Sequence, residues 1–395
     1  MIKILYIHHG VGWGGAPNSM IKLINNLDSS KYYAEVLLLK NSIVADKLKE
    51  NKIKYKIAES SFYKKHYHYF IHSEAGYLKW YQLYRFMKLS FLWIISRFYY
   101  TKKELKIYDC DIIHLNSSVL TDWLAPSKKK GKVIIQIREP FRKGKCDILH
   151  HFFVSQMRKY SDRIVAISRD NAKRVGIQEK TEVIYNYSEI PKNGPQESSY
   201  SSKKVLYLGG SSYIKGFYTM VEALDYLDKD VKVYFGGIYS KGRNDRNLLK
   251  KILKRIVSYG EKRKEAIEKM RNHPNAIEIG IIKNVQKYLD EVCCLISPLS
   301  VPHFSRPVIE AHLHKKPAIG TDVKGMDEII EHEKNGLIVP KNSAKKLAKA
   351  INVLTADSRK SKKLGEAGYK IATEKFTPKN IRQTQNVYDQ LLLQE

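Results

Sequence analysis

The chain has 395 residues, 43% hydrophobic and 28% charged, with 70 Lys and Arg against 40 Asp and Glu and a formal charge of +30. That length exceeds what one core usually supports and points to two domains of similar size, while the ordinary apolar share and the lack of low-complexity tracts or short repeats exclude a disordered chain or a solenoid. The charge predicts attraction to a polyanion such as nucleic acid, anionic lipid or a phosphorylated substrate, with lysine richness from codon usage alone as the plain alternative.

The opening residues 1–10 hold an apolar stretch too short for a signal-peptide core, and 4–7 read as a first strand. Gly10, Gly12, Gly14 and Gly15 follow, then Met20, Ile21, Leu23 and Ile24 at helical spacing. Strand-like runs recur at 34–39, 112–115, 133–137 and 164–167, separated by stretches long enough for helices. The longest apolar stretch, around 89–95, falls far short of the ~20 residues that span a bilayer. A polar segment, 191–202, reads as a linker, after which the pattern restarts: a strand at 205–208, Gly209 and Gly210, and a helical run from Phe217. Further strands are expected at 231–235, 277–279, 294–296, 318–319 and 337–339, and a last helix at about 378–394 that could pack on either domain. The expected organisation is a first domain over 1–190, a linker over 191–202, a second domain over 203–377 and a terminal helix over 378–395, with both domains α/β and doubly wound. Cys110, Cys146, Cys293 and Cys294 lack zinc spacing and are too few for a disulfide scaffold, which fits a reducing compartment.

Two glycine loops follow strands that open domains. Gly14 and Gly15 stand where a helix N-terminus favours an anion or a sugar hydroxyl, or else form a plain tight turn. The dinucleotide fingerprint is absent, because Leu38-Leu39-Lys40 stands where an acidic residue would end the second strand. In the second loop, Gly209 to Gly216, Lys215 lies a few residues past the strand; it is placed either to hold a phosphate as a point charge or to be a solvated surface lysine.

The segment from Cys294 decides between these readings. It runs through Pro302-His303-Phe304-Ser305-Arg306-Pro307-Val308-Ile309-Glu310-Ala311, Lys316-Pro317, Gly325-Met326-Asp327-Glu328 and Asn335-Gly336-Leu337. In this order and spacing the sequence resembles the retaining family 4 glycosyltransferases of GT-B fold, the glycosyl transferases group 1. The likeness extends back through Asp162-Arg163-Ile164-Val165 to the first glycine loop and is weakest between Glu59 and Tyr108. It implies two Rossmann-like domains facing across a cleft and transfer of a sugar, with retention, from a nucleotide-sugar donor to a glycan or lipid-linked acceptor in cell-surface polysaccharide assembly. No cofactor and no metal are implied; Asp109-Cys110-Asp111 has metal-site spacing but leads into a strand.

By the resemblance, Lys215 binds the donor diphosphate and Glu310 the donor ribose, with Gly14, Gly15, Gly209, Phe304 and Ser305 completing the donor site. Pro302 stands where the family has its first glutamate, and Gly210 where it has a second cation; Arg306 is the candidate to supply that missing charge. Where the family often has a histidine after a first-domain strand, this chain has Arg138-Glu139-Pro140. Arg138 is a candidate to stabilise phosphate and Glu139 to meet the acceptor hydroxyl, with a structural ion pair as the equal alternative. A nucleotide-sugar epimerase of the same fold and a weakened binding protein are the other functional readings. Nucleic acid is disfavoured, because no recognised binding module accompanies the charge.

The stretch 62–103 interleaves aromatic with basic residues, among them Lys79, Trp80, Tyr81, Arg85, Lys88, Trp93 and Arg97. An interfacial surface on an anionic membrane needs such a mixture, which places the protein in the cytoplasm, peripherally on the inner face of the cell membrane. Alternatively, Leu83, Phe86, Met87, Ser90, Phe91 and Ile94 form the buried stripe of an ordinary core helix. The basic stretch 241–271 adds electrostatic attraction.

Overall fold

The alternation of apolar strand and helix builds two parallel sheets in the computed structural model, which describes residues 1–74, 76–78, 82–144, 147–191, 197–237, 239, 259–282 and 284–393. The first sheet contains β1 (Ile2–His8), β2 (Tyr32–Leu38), β3 (Tyr55–Ile57), β4 (Ile112–Leu115), β5 (Lys132–Ile137), β6 (Arg163–Ala166) and β7 (Thr181–Val183), in the order β3-β2-β1-β4-β5-β6-β7. The second contains β8 (Lys204–Tyr207), β9 (Lys232–Gly236), β10 (Ala276–Gly280), β11 (Cys294–Ser297), β12 (Ala318–Thr321) and β13 (Gly336–Val339), in the order β10-β9-β8-β11-β12-β13. Strand order reverses between β1 and β4 in one sheet and between β8 and β11 in the other. Loops at such switch points leave a crevice at the carboxyl ends of the strands.

Both faces of the first sheet are covered, which is why its central strands read as unbroken apolar runs. In β1, Leu5 and Ile7 pack into one cluster with Leu115, Ile135 and Trp123, while Ile4 and Tyr6 pack into another with Met20, Val36 and Ile134. The short edge strands β3 and β7 escape the sequence pattern because each is three residues long and neither has a fully buried position.

The chain divides into two compact units, Met1–Tyr187 with Phe376–Glu395, and Ser188–Lys375. Helical periodicity leaves the partner of the terminal helix open; the structure packs Lys379–Leu392 on the first unit through Ile381, Val387, Tyr388 and Leu391. A buried polar chain fixes it there. Tyr388 Oη lies 2.7 Å from Tyr6 Oη and 2.8 Å from Nδ1 of His114, and His114 Nε2 lies 3.2 Å from Gln136 Oε1. One assignment satisfies every atom: Nε2 donates to Gln136, Nδ1 accepts from Tyr388, and Tyr388 accepts from Tyr6. Burial pushes His114 down to about 3, so the imidazole stays neutral and this pattern holds at ordinary pH. Lys31 and Tyr32 meet Asp389 at the rim.

The aromatic stretch forms the helix Leu83–Ile95, a wider π-type turn at Ser96–Tyr100 and a short helix Thr101–Leu105. Its buried side is Leu89, Leu92 and Trp93. Leu83, Met87, Phe91 and Ile94 are exposed, so they are not the buried stripe that periodicity also allowed. Lys79, Trp80, Tyr81, residues 192–196 of the expected linker and the part of the basic stretch from 241 to 258 lie outside the described residues.

Removing the central hydroxyl of the polar chain leaves Tyr6 and His114 without their shared partner. Tyr388→Phe is therefore expected to lower stability by about 1–3 kcal/mol, whereas Lys31→Ala, at an exposed pair, costs less than about 1 kcal/mol. Chemical denaturation of the two variants checks the ranking.

Candidate functional site

Each sheet gathers polar side chains at its carboxyl edge, because residues directly after a buried strand emerge there. In the first unit His8 ends β1 and His9 follows it, Asn116, Ser117 and Ser118 follow β4, Arg138 and Glu139 follow β5, and Asn186 lies beyond β7. Arg138 is buried and forked between two amides: Nε donates to Asn116 Oδ1 at 2.9 Å and Nη1 to Asn186 Oδ1 at 3.1 Å. Glu139 accepts from the hydroxyls of Ser117 at 2.7 Å and Ser118 at 2.8 Å. Asn116 also donates to Nδ1 of His8 at 3.1 Å, which leaves the His8 proton on Nε2. Burial holds His8 well below its ordinary pKa and lowers His9, with Glu139 opposing the shift on His9. Among the described residues, His8 Nε2 and His9 Nδ1 are buried without a hydrogen-bond partner. Buried polar atoms of this kind call for a partner, such as a water molecule, an ion or a ligand group.

Sequence reasoning singled out Arg138 and Glu139 but missed the two histidines and the Asn116-Ser117-Ser118 turn. The available signal was their position, immediately after apolar strands on either side of the switch point. Gly14 caps the helix Gly15–Asn25, and a Cβ added at Gly12, Gly14 or Gly15 would meet nothing. Packing therefore does not demand these glycines, and the loop backbone stays open to close approach.

In the second unit the loop after β8 meets the loop after β11. Lys215 ends the turn Tyr213–Lys215, and Gly216 follows with φ of +74°. A Cβ at Gly216 would stand 1.7 Å from the Pro298 carbonyl oxygen, so glycine alone fits. The backbone bond from Ser300 N to Ile214 O, 3.0 Å, joins the loops a second time. Lys215 is half-buried, and desolvation pushes its ammonium down to about 8. His303, in the facing loop, is held neutral by burial and by the Lys215 charge. Ser297 and Ser305 hydroxyls meet at 2.9 Å, and Phe304 and Ser305 are buried.

Ser305 caps the helix Arg306–Leu313, whose first turn carries Pro307. Arg306 and Glu310 lie one turn apart on this helix, with Arg306 Nε 2.9 Å from Glu310 Oε1. The two residues assigned separately to phosphate and ribose are therefore partners of each other. Gly209 and Gly210 pack against the turn after β9: a Cβ at Gly209 would overlap the Tyr207 hydroxyl, and one at Gly237 would come within 2.6 Å of Gly210 Cα. Gly210 has φ of +53°, which disfavours a cationic side chain there. A guanidinium reaches the same loop from elsewhere, since Arg263, on the helix Tyr259–Asn272, donates to Ser211 Oγ at 2.6 and 3.0 Å. Nothing in the sequence marked Arg263 among its lysine and arginine neighbours. Among the described residues, no group of three or more His, Cys, Asp and Glu is placed to hold a metal ion.

Comparison with known proteins bears first on the second unit. Residues 191–371, a little under half of the chain, match the family model described as glycosyl transferases group 1. An uncharacterized glycosyltransferase of Methanocaldococcus jannaschii is 25% identical over 251 residues, a match spanning 62% of this chain and 65% of that relative. Solved structures extend the likeness to the whole fold. Anabaena HepE, in complex with UDP and glucose, superposes with a TM-score of 0.73 at 17% identity, covering 98% of this chain and 99% of its own. S. aureus TarM, as a mutant bound to UDP, gives 0.69 at 13% identity over 97% and 98%. Sucrose-phosphate synthase from Thermosynechococcus elongatus gives 0.68 at 16% over the full length of both. The fold is thus the two-domain α/β architecture of the GT-B class.

The glycine geometry makes a sharp contrast testable. Gly216→Ala must adopt a left-handed conformation, at ~1–2 kcal/mol, and also displace the Pro298 carbonyl, so a loss above ~2 kcal/mol is expected. Gly12→Ala, with open space around it, should stay within about 0.5 kcal/mol of the parent. Equal stability of the two variants in urea titrations would contradict this reading of the loops.

Proposed function

We propose that this chain is a glycosyltransferase, holding a nucleoside-diphosphate sugar in the second unit and transferring the sugar, with retention, to a glycan or lipid-linked acceptor. One observation carries the proposal: the stretch that matches the glycosyl transferases group 1 model contains the two switch-point loops that gather Lys215, His303, Arg306 and Glu310. The uridine nucleotide bound by HepE makes a UDP-sugar the first donor to test.

The chemistry assigns each group a task. Lys215 holds the diphosphate as a point charge, and Glu310 accepts from the ribose hydroxyls with its carboxylate oriented by Arg306. The bond from the anomeric carbon to the β-phosphate oxygen breaks with its electron pair remaining on phosphate. Lys215, the guanidinium of Arg306 and the N-terminal amides of the helix Arg306–Leu313 stabilise that developing charge. The acceptor oxygen bonds to the same face of the anomeric carbon and passes its proton to the departing phosphate oxygen. In the first unit, Arg138 and Glu139, held by Asn116, Asn186, Ser117 and Ser118, are the groups proposed to stabilise phosphate and to meet the acceptor. Cell-surface polysaccharide assembly at the inner face of the membrane is the setting proposed, with the acceptor carried at an anionic membrane surface. Among the described residues no helix is long and apolar enough to cross a membrane.

Thermal stabilisation by a panel of UDP-, GDP- and ADP-sugars tests the donor site, since a ligand at 100 times its Kd adds about 2.7 kcal/mol. Failure of every nucleotide sugar to stabilise the folded protein would refute the proposal. Product analysis without acceptor separates transfer from epimerisation.

A pH dependence follows from Lys215. Its ligand-free pKa lies near 8, and a bound diphosphate raises it, so the protonated protein is the binding form. Donor affinity should be flat below pH 8 and fall by up to about tenfold per unit above it, as each binding event must take up a proton. Lys215→Arg, charged throughout, should remove that fall, and calorimetric titration at several pH values reads it.

The Arg306–Glu310 pair gives a second test. Either alanine substitution should weaken donor binding by ~1.5–3 kcal/mol, the cost of a lost charged hydrogen bond. Because the residues touch, the double variant should lose less than the sum, with a coupling of about 0.5–3 kcal/mol. Additive losses would mean that Arg306 does not act through Glu310.

A further inference from the structure

The helix Leu83–Ile95 is apolar on two opposite faces. Leu89, Leu92 and Trp93 pack into the core of the first unit. Residues in an α-helix advance by about 100°, which sets Leu83, Tyr84, Met87, Phe91 and Ile94 inside a single arc of about 100° on the other side. Those five are 63, 80, 60, 61 and 49% exposed. Phe98, beyond the π-type turn, and Phe152, edge-on to Trp93 at 5.4 Å, are also exposed large rings. Apolar residues scattered singly over a surface need no explanation, but a contiguous stripe on an otherwise core-packed helix marks an interaction surface.

The platform under the stripe is fixed. Trp93 Nε1 donates to Thr121 Oγ1 at 3.0 Å, and Asp122 is buried against the hydroxyls of Ser96 and Tyr67. The stripe therefore belongs to a helix tied to the fold, not to a frayed segment.

Charge identifies the occupant. Arg85 and Lys88 are exposed on the same helix, Lys102 and Lys103 are exposed just after it, and no acidic residue occurs between 83 and 103. We propose that this stripe inserts into the headgroup region of an anionic lipid bilayer, with Met87, Phe91 and Ile94 entering the acyl boundary and the flanking cations meeting lipid phosphates. A second copy of the chain is the poorer occupant, because a two-fold interface would set these cations against their own kind. The inference rests on the transfer reading only for what the membrane carries, an acceptor with a lipid anchor.

The test is flotation of the full chain with vesicles of mixed phosphatidylglycerol and phosphatidylcholine against phosphatidylcholine alone. The parent should float with the anionic vesicles, bind the neutral ones at least about tenfold more weakly, and release as salt rises. Phe91→Glu combined with Ile94→Glu, both at exposed positions, should lower anionic binding by about tenfold or more while thermal unfolding stays unchanged. Arg85→Gln with Lys88→Gln should also lower it, and decides the matter if the first variant fails to fold. Equal flotation of the parent and the folded variants overturns the proposal. So does a concentration-dependent dimer, broken by the Phe91 and Ile94 changes, in a protein that ignores vesicles. Stabilisation by nucleotide sugars is read in parallel: its loss with flotation intact removes the transfer reading and leaves the surface standing, and the converse result removes only the surface.

Discussion

The candidate donor site depends on one close approach, the backbone of Gly216 against the carbonyl of Pro298. Together with the bond from Ser300 to Ile214, it fastens the loop after β8 to the loop after β11. Lys215 is thereby brought into the electrostatic reach of His303, and the chain between Ser297 and Ser305 is set to begin the helix that carries Arg306 and Glu310. A side chain at 216 would push the loops apart. The functional groups would survive in the sequence but lose their common place.

Both units apply the same rule with different chemistry. Parallel strands covered on both faces leave polar residues few places to emerge, and the switch point is where strand order reverses and leaves a crevice at the carboxyl ends. In the second unit this edge concentrates cations and a helix N-terminus, suited to an anion. In the first it holds two neutral histidines, a forked arginine and a carboxylate gripped by two hydroxyls. Hydrogen bonds to Asn116, Asn186, Ser117 and Ser118 fix Arg138 and Glu139 before any ligand arrives, which limits the reorganisation that binding would require.

The terminal helix and the exposed helix illustrate how apolar surface is partitioned. Residues 379–392 have one apolar face, and the first unit covers it, with Tyr388 completing a polar chain that reaches β1, β4 and β5. Residues 83–95 have two apolar faces, and among the described residues only one is covered. Both segments carry helical periodicity. What separates them is how many sides the rest of the chain supplies with partners.

Local pattern was enough for the alternation of strand and helix, the two-domain α/β class and the positions of the long central strands, because burial on both faces writes continuous apolar runs into the sequence. Motif order and spacing, through the family resemblance they carry, were enough to single out Lys215, Arg306 and Glu310. The edge strands β3 and β7 left no such trace, being three residues long and only partly buried. Tertiary structure alone decided the partner of the terminal helix and the exposed side of Leu83–Ile95, since periodicity names a face without naming what covers it. It alone brought His8 and His9 beside Asn116 and Glu139, paired Arg306 with Glu310 and set Arg263 against Ser211. Apart from that helical pair, these are contacts between residues far apart in the chain, fixed by where the sheet and its loops place them.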